Sequence, residues 1–202
     1  MARPGPTDTA PTSIAVVAAA SPTSLAALGQ RIVVLGVTGS GKSTLAAELA
    51  RRVGAPHVEL DALHWEPNWT PAERDILRER VRQAAAGEAW VVDGNYRQAR
   101  DIVWPRAQTI IWLDYSLPII YGRLLRRTLW RWLARVELWS GNRERLRELF
   151  FSRDSLFVWA FTSQPKHRRE YPLIPTTPEY AHVTFIHLRS PRATARWLAA
   201  LR

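Results

Sequence analysis

Short apolar runs alternate along the chain with amphipathic stretches. The first run, Ile32-Val33-Val34-Leu35, is followed by a helical pattern. Leu45, Ala46, Leu49, Ala50 and Val53 fall on one face of that helix, and Gly54 supplies its stop. A second run covers 56–61 and ends in Asp61, with an aromatic-rich loop over 62–69 behind it. Thr70-Pro71-Ala72-Glu73 has the form of a capping box with proline at the first helical position, which predicts a helix from there to Gly87. Trp90-Val91-Val92-Asp93 and Thr109-Ile110-Ile111-Trp112-Leu113-Asp114 read as the third and fourth strands, with a loop or short helix over 95–101. Ser116 is placed to cap a long helix through Tyr121 and Leu125. Prolines 172, 175 and 178 mark an irregular link before a fifth strand over 183–188. Ser190-Pro191 caps a last helix that turns Trp197, Leu198 and Leu201 inward. Near-continuous apolar strands alternating with helices predict an α/β, three-layer sandwich around a five-stranded parallel sheet. Ligands of such sheets bind at the carboxyl ends of the strands. Lys42, Asp61, Asp93 and Asp114 all lie at or just beyond those ends.

The first strand runs into Gly36-Val37-Thr38-Gly39-Ser40-Gly41-Lys42-Ser43, the G-x-x-x-x-G-K-S phosphate loop, in the strand–loop–helix context that the motif requires. Glycines let the backbone wrap a phosphate, and the helix N-terminus adds partial positive charge at the same place. The expected nucleotide-binding residues are Gly36, Thr38, Gly39, Ser40, Gly41, Lys42, Ser43 and Thr44. Lys42 reaches the terminal phosphates and Ser43 ligates Mg²⁺. The chain has 28 Lys and Arg, of which only Lys42 and Lys166 are lysines.

The 202 residues suit one α/β domain, and a hydrophobic content of 47% gives it a core. With no cysteine, disulfides and thiolate metal sites are excluded, which fits a cytoplasmic location. No uninterrupted apolar run approaches the ~20 residues that span a bilayer, and no membrane partner is expected. Residues 1–29 read as a disordered leader of Ala, Pro, Thr and Ser; their apolar stretch 14–20 only mimics a signal sequence. Residues 30–202 form the domain, and nothing in them demands more than a monomer. The net charge of +10 suits either a handler of nucleotide phosphates or a binder of polyanions. It is concentrated from Arg123 to Asp154, where nine arginines stand against four acids.

Asp93, closing an apolar strand, has the place of a carboxylate that holds Mg²⁺ opposite Ser43; the alternative is a turn cap. Asp61 is a candidate to orient or deprotonate an acceptor hydroxyl, against a plain capping role. His64, Trp65 and Trp69 are candidates for the acceptor pocket, although a structural histidine serves equally at 64. Arg123 and Arg127, four apart on one helical face, can clamp phosphate oxygens, or they form a solvated basic face. The Arg- and Trp-rich stretch over 126–165 reads as a lid, as a nucleic-acid surface, or as helices packed on the core.

Together the phosphate loop, Asp93-Gly94 and the Arg123/Arg127 pair resemble the nucleoside monophosphate kinase superfamily with its adenylate-kinase-like fold. Asp61-Ala62-Leu63-His64-Trp65 and Asp93-Gly94-Asn95-Tyr96 resemble, more narrowly, the FlaR-like proteins labelled topology modulation proteins. The resemblance covers about residues 31–202 and implies a mobile lid, ATP with Mg²⁺, and a phosphoryl-acceptor site. Adenylate kinases follow the Asp-Gly strand end with an aromatic, a proline and an arginine. Here the string is Asn95-Tyr96-Arg97, without the proline, so Arg97 or Arg100 takes the acceptor role by this resemblance, with Asn95 beside them.

Two readings follow. The first is an ATP-dependent kinase of a nucleotide or small hydroxylated acceptor, with Lys42, Asp61, Arg123 and Arg127 as catalytic residues. The second is a nucleic-acid-binding P-loop NTPase or polynucleotide kinase that uses the Arg/Trp region as its surface.

Overall fold

The computed structural model describes residues 24–143 and 156–202. In chain order the elements are α1 (Leu25–Leu28), β1 (Arg31–Gly36), α2 (Lys42–Val53), β2 (His57–Glu59), α3 (Leu60–His64), β3 (Trp65–Glu66) and β4 (Thr70–Pro71). There follow α4 (Arg74–Ala84), β5 (Trp90–Asp93), α5 (Arg97–Val103), β6 (Thr109–Leu113), α6 (Leu117–Leu133), α7 (Leu156–Glu170), β7 (Thr184–Leu188) and α8 (Pro191–Ala200). Five strands form one parallel sheet in the order β2-β5-β1-β6-β7, the architecture expected from the apolar runs.

The pleat divides the core into two layers. Ile32 and Val34 of β1 and Ile111 and Leu113 of β6 join Leu45, Leu49, Ile120, Leu124 and Trp197 on one face. Val33, Leu35, Ile110 and Trp112 join Leu77, Val81, Val103, Trp104 and Tyr171 on the other. The central strands are buried on both sides, hence their unbroken apolar runs. Each such side chain contributes about 1.5–3 kcal/mol by leaving water. The register also sets the edge where chemistry can occur. Val34 pairs with Asp93, Glu59 pairs with Asp93, and Gly36 pairs with Leu113. The end of β1 therefore lies between the ends of β5 and β6.

Three local expectations are corrected. The Thr70–Pro71 segment does not start a helix. It forms β4, antiparallel to β3, across a turn where Asn68 and Trp69 take φ of 61° and 56°. The Ala72 amide then donates to the His64 carbonyl at 2.7 Å, so Thr70 is held extended and α4 begins only at Arg74. Secondly, Asp61 does not end a strand. The chain turns into α3 directly after Glu59, driven by Leu60, which is buried against Gly94. Finally, part of the expected leader is structured. In α1, Leu28 is fully buried, its carbonyl accepts from the Thr109 hydroxyl at 2.7 Å, and the Leu25 amide donates to the Arg202 carbonyl at 3.0 Å. Residues 1–23 lie outside the described residues, as do residues 144–155 of the expected lid. Among the described residues no helix is long and apolar enough to cross a membrane.

The packing of α1 has a measurable consequence. Leu28→Ala should lower unfolding free energy by about 2–5 kcal/mol in urea denaturation, as for other buried leucines. A change below about 0.5 kcal/mol would show that α1 is not part of the folded domain.

Candidate active site

The turn from β1 into α2 is built around absent side chains. Gly39 (φ 79°) passes so close to α6 that a Cβ there would lie 2.7 Å from Leu124 Cγ and 3.1 Å from the Ile120 carbonyl oxygen. Gly41 (φ 91°) would bring a Cβ 3.1 Å from Arg123 Nη1. Both backbone conformations disfavour any residue but glycine. Asn95 brackets the entry to the loop, its Nδ2 donating to the Gly36 carbonyl at 2.6 Å and its Oδ1 accepting from the Gly36 amide at 3.2 Å. The residue expected at the acceptor thus braces the phosphate loop. Arg123 also touches the loop, donating from Nη1 to the Ser40 carbonyl at 2.8 Å, with its guanidinium 5.3 Å from the Tyr115 ring centre. Arg127 follows one turn later on α6 and is half-buried.

The loop fits a polyphosphate. Lys42 opens α2, and its ammonium has no hydrogen bond or ion pair among the described residues. The Ser40 hydroxyl is buried without a partner. The N-terminus of a twelve-residue helix faces the same turn. Thr38 is half-buried and Thr44 exposed, flanking the glycines.

Ser43 and Asp93 meet at the start of α2. Ser43 Oγ donates to Asp93 Oδ1 at 3.0 Å, and Asp93 is fully buried. The second carboxylate oxygen accepts from His57 Nε2 at 2.7 Å. This hydrogen bond raises the His57 pKa against the opposing effect of burial. Among the described residues no cluster of three His, Asp or Glu could hold a metal unaided. One hydroxyl and one carboxylate beside a phosphate cradle suit Mg²⁺, which takes few protein ligands and completes its shell with phosphates and water.

On the far side of β5 lies the predicted acceptor region. Asp61 Oδ1 accepts from the Tyr96 hydroxyl at 2.6 Å. Burial, and then the neighbouring Asp61 carboxylate, push the Tyr96 pKa up, so the phenol remains a proton-bearing donor. The His64 ring packs 4.6 Å from Tyr96 and 4.7 Å from Trp65; burial lowers its pKa and favours the neutral imidazole. Trp65 meets Trp69 edge-on at 5.5 Å, and Trp69 meets Trp139 at 6.4 Å. The turn over 139–143 closes on this wall: Trp139 Nε1 donates to Glu59 at 2.8 Å, Ser140 Oγ to the Trp65 carbonyl at 2.7 Å, and Asn142 Nδ2 to the Glu66 carbonyl at 2.9 Å. Of the two arginines assigned to the acceptor, Arg100 is already engaged. It pairs with Glu170 at 3.3 Å, and its guanidinium lies 4.3 Å from the Trp104 ring centre. Arg97 is exposed at the first residue of α5.

Asp114 serves a different purpose from the other strand-end acids. It is buried between Arg168 (2.8 Å) and His187 (3.2 Å). Burial raises its pKa, but the hydrogen bonds from His187 and Arg168 outweigh that and hold it below the usual carboxylate range. This ties α7 to the end of β6. His167, stacked on Tyr171 at 4.6 Å, is pushed down to about 4, mainly by burial.

Sequence reasoning missed His57, Tyr96 and the turn over 139–143 as parts of the site. Strand alternation offers a signal for His57, which shares a face of β2 with Glu59, whereas Val58 enters the core. Nothing local points Trp139 or Asn142 at loop 65–69, some seventy residues away in sequence.

A parallel sheet with its phosphate loop after the central strand, and a buried acid on the neighbouring strand, define a P-loop α/β nucleotide-binding fold. The profile of the AAA domain family matches residues 32–129, from β1 into α6. No curated protein sequence matches the chain. Solved structures similar to it include a gluconokinase from Sinorhizobium meliloti 1021 (20% identity, 85% of this chain and 93% of that one, TM-score 0.49). A shikimate kinase from Bacteroides thetaiotaomicron is similar at 16% identity, over 84% of this chain and 94% of that one, with a TM-score of 0.49. A sugar kinase from Janibacter sp. HTCC2649 is similar at 21% identity, over 86% of this chain and 99% of that one, with a TM-score of 0.42.

Two outcomes are expected. Gly39→Ala should weaken binding of a fluorescent ATP analogue at least about tenfold, because the loop must shift away from Leu124; unchanged affinity would contradict the cradle. The unfolded chain binds a proton at His167 near pH 6.5, whereas the folded chain resists until about 4. Stability should therefore fall as pH drops through that window. His167→Phe should flatten this part of the stability profile in denaturation at pH 4.5 and 7, and an identical slope would refute the assignment.

Proposed function

We propose that the protein is an ATP- and Mg²⁺-dependent kinase that transfers the γ-phosphoryl group to a hydroxyl of a small-molecule or nucleotide acceptor. The observation that carries this reading is a second held carboxylate near the end of β5, in addition to Asp93. Asp93 is buried against Ser43 of the phosphate loop, and Asp61 is held by Tyr96 among aromatic rings. A phosphate loop alone serves any nucleotide-binding protein. A second, oriented carboxylate beside it supplies what an acceptor hydroxyl needs.

In this account Lys42 and the loop amides hold the β- and γ-phosphates. Ser43 and Asp93 hold Mg²⁺, which when bound neutralises charge on the phosphate oxygens. Tyr96 occupies Oδ1 of Asp61, so Oδ2 takes the acceptor proton as the hydroxyl oxygen bonds to phosphorus and ADP leaves. Arg123, adjoining Ser40, and Arg127 stabilise charge on the transferring group. Trp65, Trp69 and His64 shape the acceptor wall, with Arg97 on its rim for an anionic group. Dependence on ATP suits the cytoplasm, and the resemblance to the FlaR-like adenylate-kinase relatives supports the same class of reaction.

One observation favours the second reading, a nucleic-acid-dependent NTPase: Trp130 of α6 is exposed one turn from the exposed Arg126, a pair that can stack on and neutralise a nucleic-acid strand. It predicts release of free phosphate stimulated by single-stranded nucleic acid, with a steep salt dependence.

Lys42→Ala should abolish turnover while leaving the thermal melting curve in place. Asp61→Asn should retain ATP binding and lower phosphoryl transfer by about 10²–10⁴-fold, the usual worth of a positioned base. Full transfer by either variant would overturn the assignment.

A further inference from the structure

We infer that His57 is a positioning residue for the metal-binding carboxylate, an inference that rests on the phosphate-loop reading and not on the identity of the acceptor. Asp93 is 0% exposed, and its side chain has two side-chain partners among the described residues. Ser43 donates to Oδ1 and His57 to Oδ2. A carboxylate held at one oxygen can still rotate about its Cβ–Cγ bond, whereas one held at both cannot. Ser43 is also the residue whose oxygen the metal takes. Once that oxygen turns to the ion, His57 is the side-chain donor that keeps the Asp93 plane in place. Outer partners of this kind set ligand orientation and typically change metal affinity by about 10–100-fold.

The location of His57 argues against a packing role. It lies on β2, an edge strand of the sheet, and its side chain keeps about a quarter of its exposure, 25%, whereas the core position of that strand belongs to Val58. The ring reaches across one strand spacing to Asp93 at 2.7 Å, a short charge-assisted contact. The register explains the reach. His57 is paired with Val91 and Glu59 with Asp93, so the His57 side chain leans forward along β2 toward the end of β5.

The test uses the full chain with Mn²⁺ as the probe and a non-hydrolysable ATP analogue at saturation, read by electron paramagnetic resonance. His57→Leu fills the volume without a donor, and His57→Gln keeps an N–H near the Nε2 position. The Leu variant should bind Mn²⁺ at least about tenfold more weakly, and the Gln variant within about threefold of the parent. Affinity for the analogue in EDTA should stay within about twofold in both. If His57→Leu does not fold, His57→Asn, polar but too short to reach, takes its place. Parental Mn²⁺ affinity in the donor-less variant would overturn the inference. So would equal losses in the Gln and donor-less variants, or a lowered melting temperature with metal binding intact. None of these readings needs an acceptor, so failure here is distinct from failure of the kinase assignment, which shows only in phosphoryl transfer.

Discussion

The turn between β1 and α2 has no room for a side chain at Gly39 or Gly41, and the rest of the site follows from that crowding. Gly39 lies against Leu124 and the Ile120 carbonyl of α6, and Gly41 lies against Arg123 of the same helix. The helix that bears Arg123 and Arg127 is therefore packed directly on the loop. Arg123 reinforces the junction through the Ser40 carbonyl, and Asn95, two residues beyond β5, does so through the Gly36 peptide. The backbone amides are thus fixed before any ligand arrives, which is how a polar site is preorganised.

A second contact couples this cradle to the aromatic wall around Tyr96. Gly94, at φ 135°, leaves space for Leu60, whose burial swings the chain from β2 into α3. That turn carries Asp61 to Tyr96, while Asp93, one residue before Gly94, faces Ser43. One tight crossing thus separates two carboxylates into two environments: one buried and fully hydrogen-bonded, the other at an aromatic wall. Backbone strain gathers at the outer edge of that wall, where Asn68, Trp69 and Ser140 all hold positive φ in two turns tied together by Asn142. Such conformations persist only where the surroundings enforce them.

Much of this was legible in the sequence because it rests on local signals. Apolar strands buried on both faces announce a parallel sheet, and the glycine spacing announces the loop. Ser190 caps α8 through the Ala193 amide at 3.1 Å, as its position before Pro191 predicts. What escaped was set by tertiary contacts. The capping-box string at residues 70–73 lost to pairing of β4 with β3. Asp61 passed from strand end to helix because Leu60 found a place under Gly94. Arg100 resembled an acceptor ligand until Glu170, seventy residues away, and Trp104, one helical turn on, engaged it. His57 carried no motif at all; only the register of β2 against β5 brings it to Asp93.

Following the label of γ-³²P-ATP decides whether the protein transfers a phosphoryl group to a small acceptor. Purified protein with Mg²⁺ would be offered nucleoside monophosphates, nucleosides and small polyols and sugar acids, with single- and double-stranded nucleic acid in parallel. A small-molecule kinase places label on one small acceptor together with stoichiometric ADP. Label released only as inorganic phosphate, and only when nucleic acid is present, would contradict that reading.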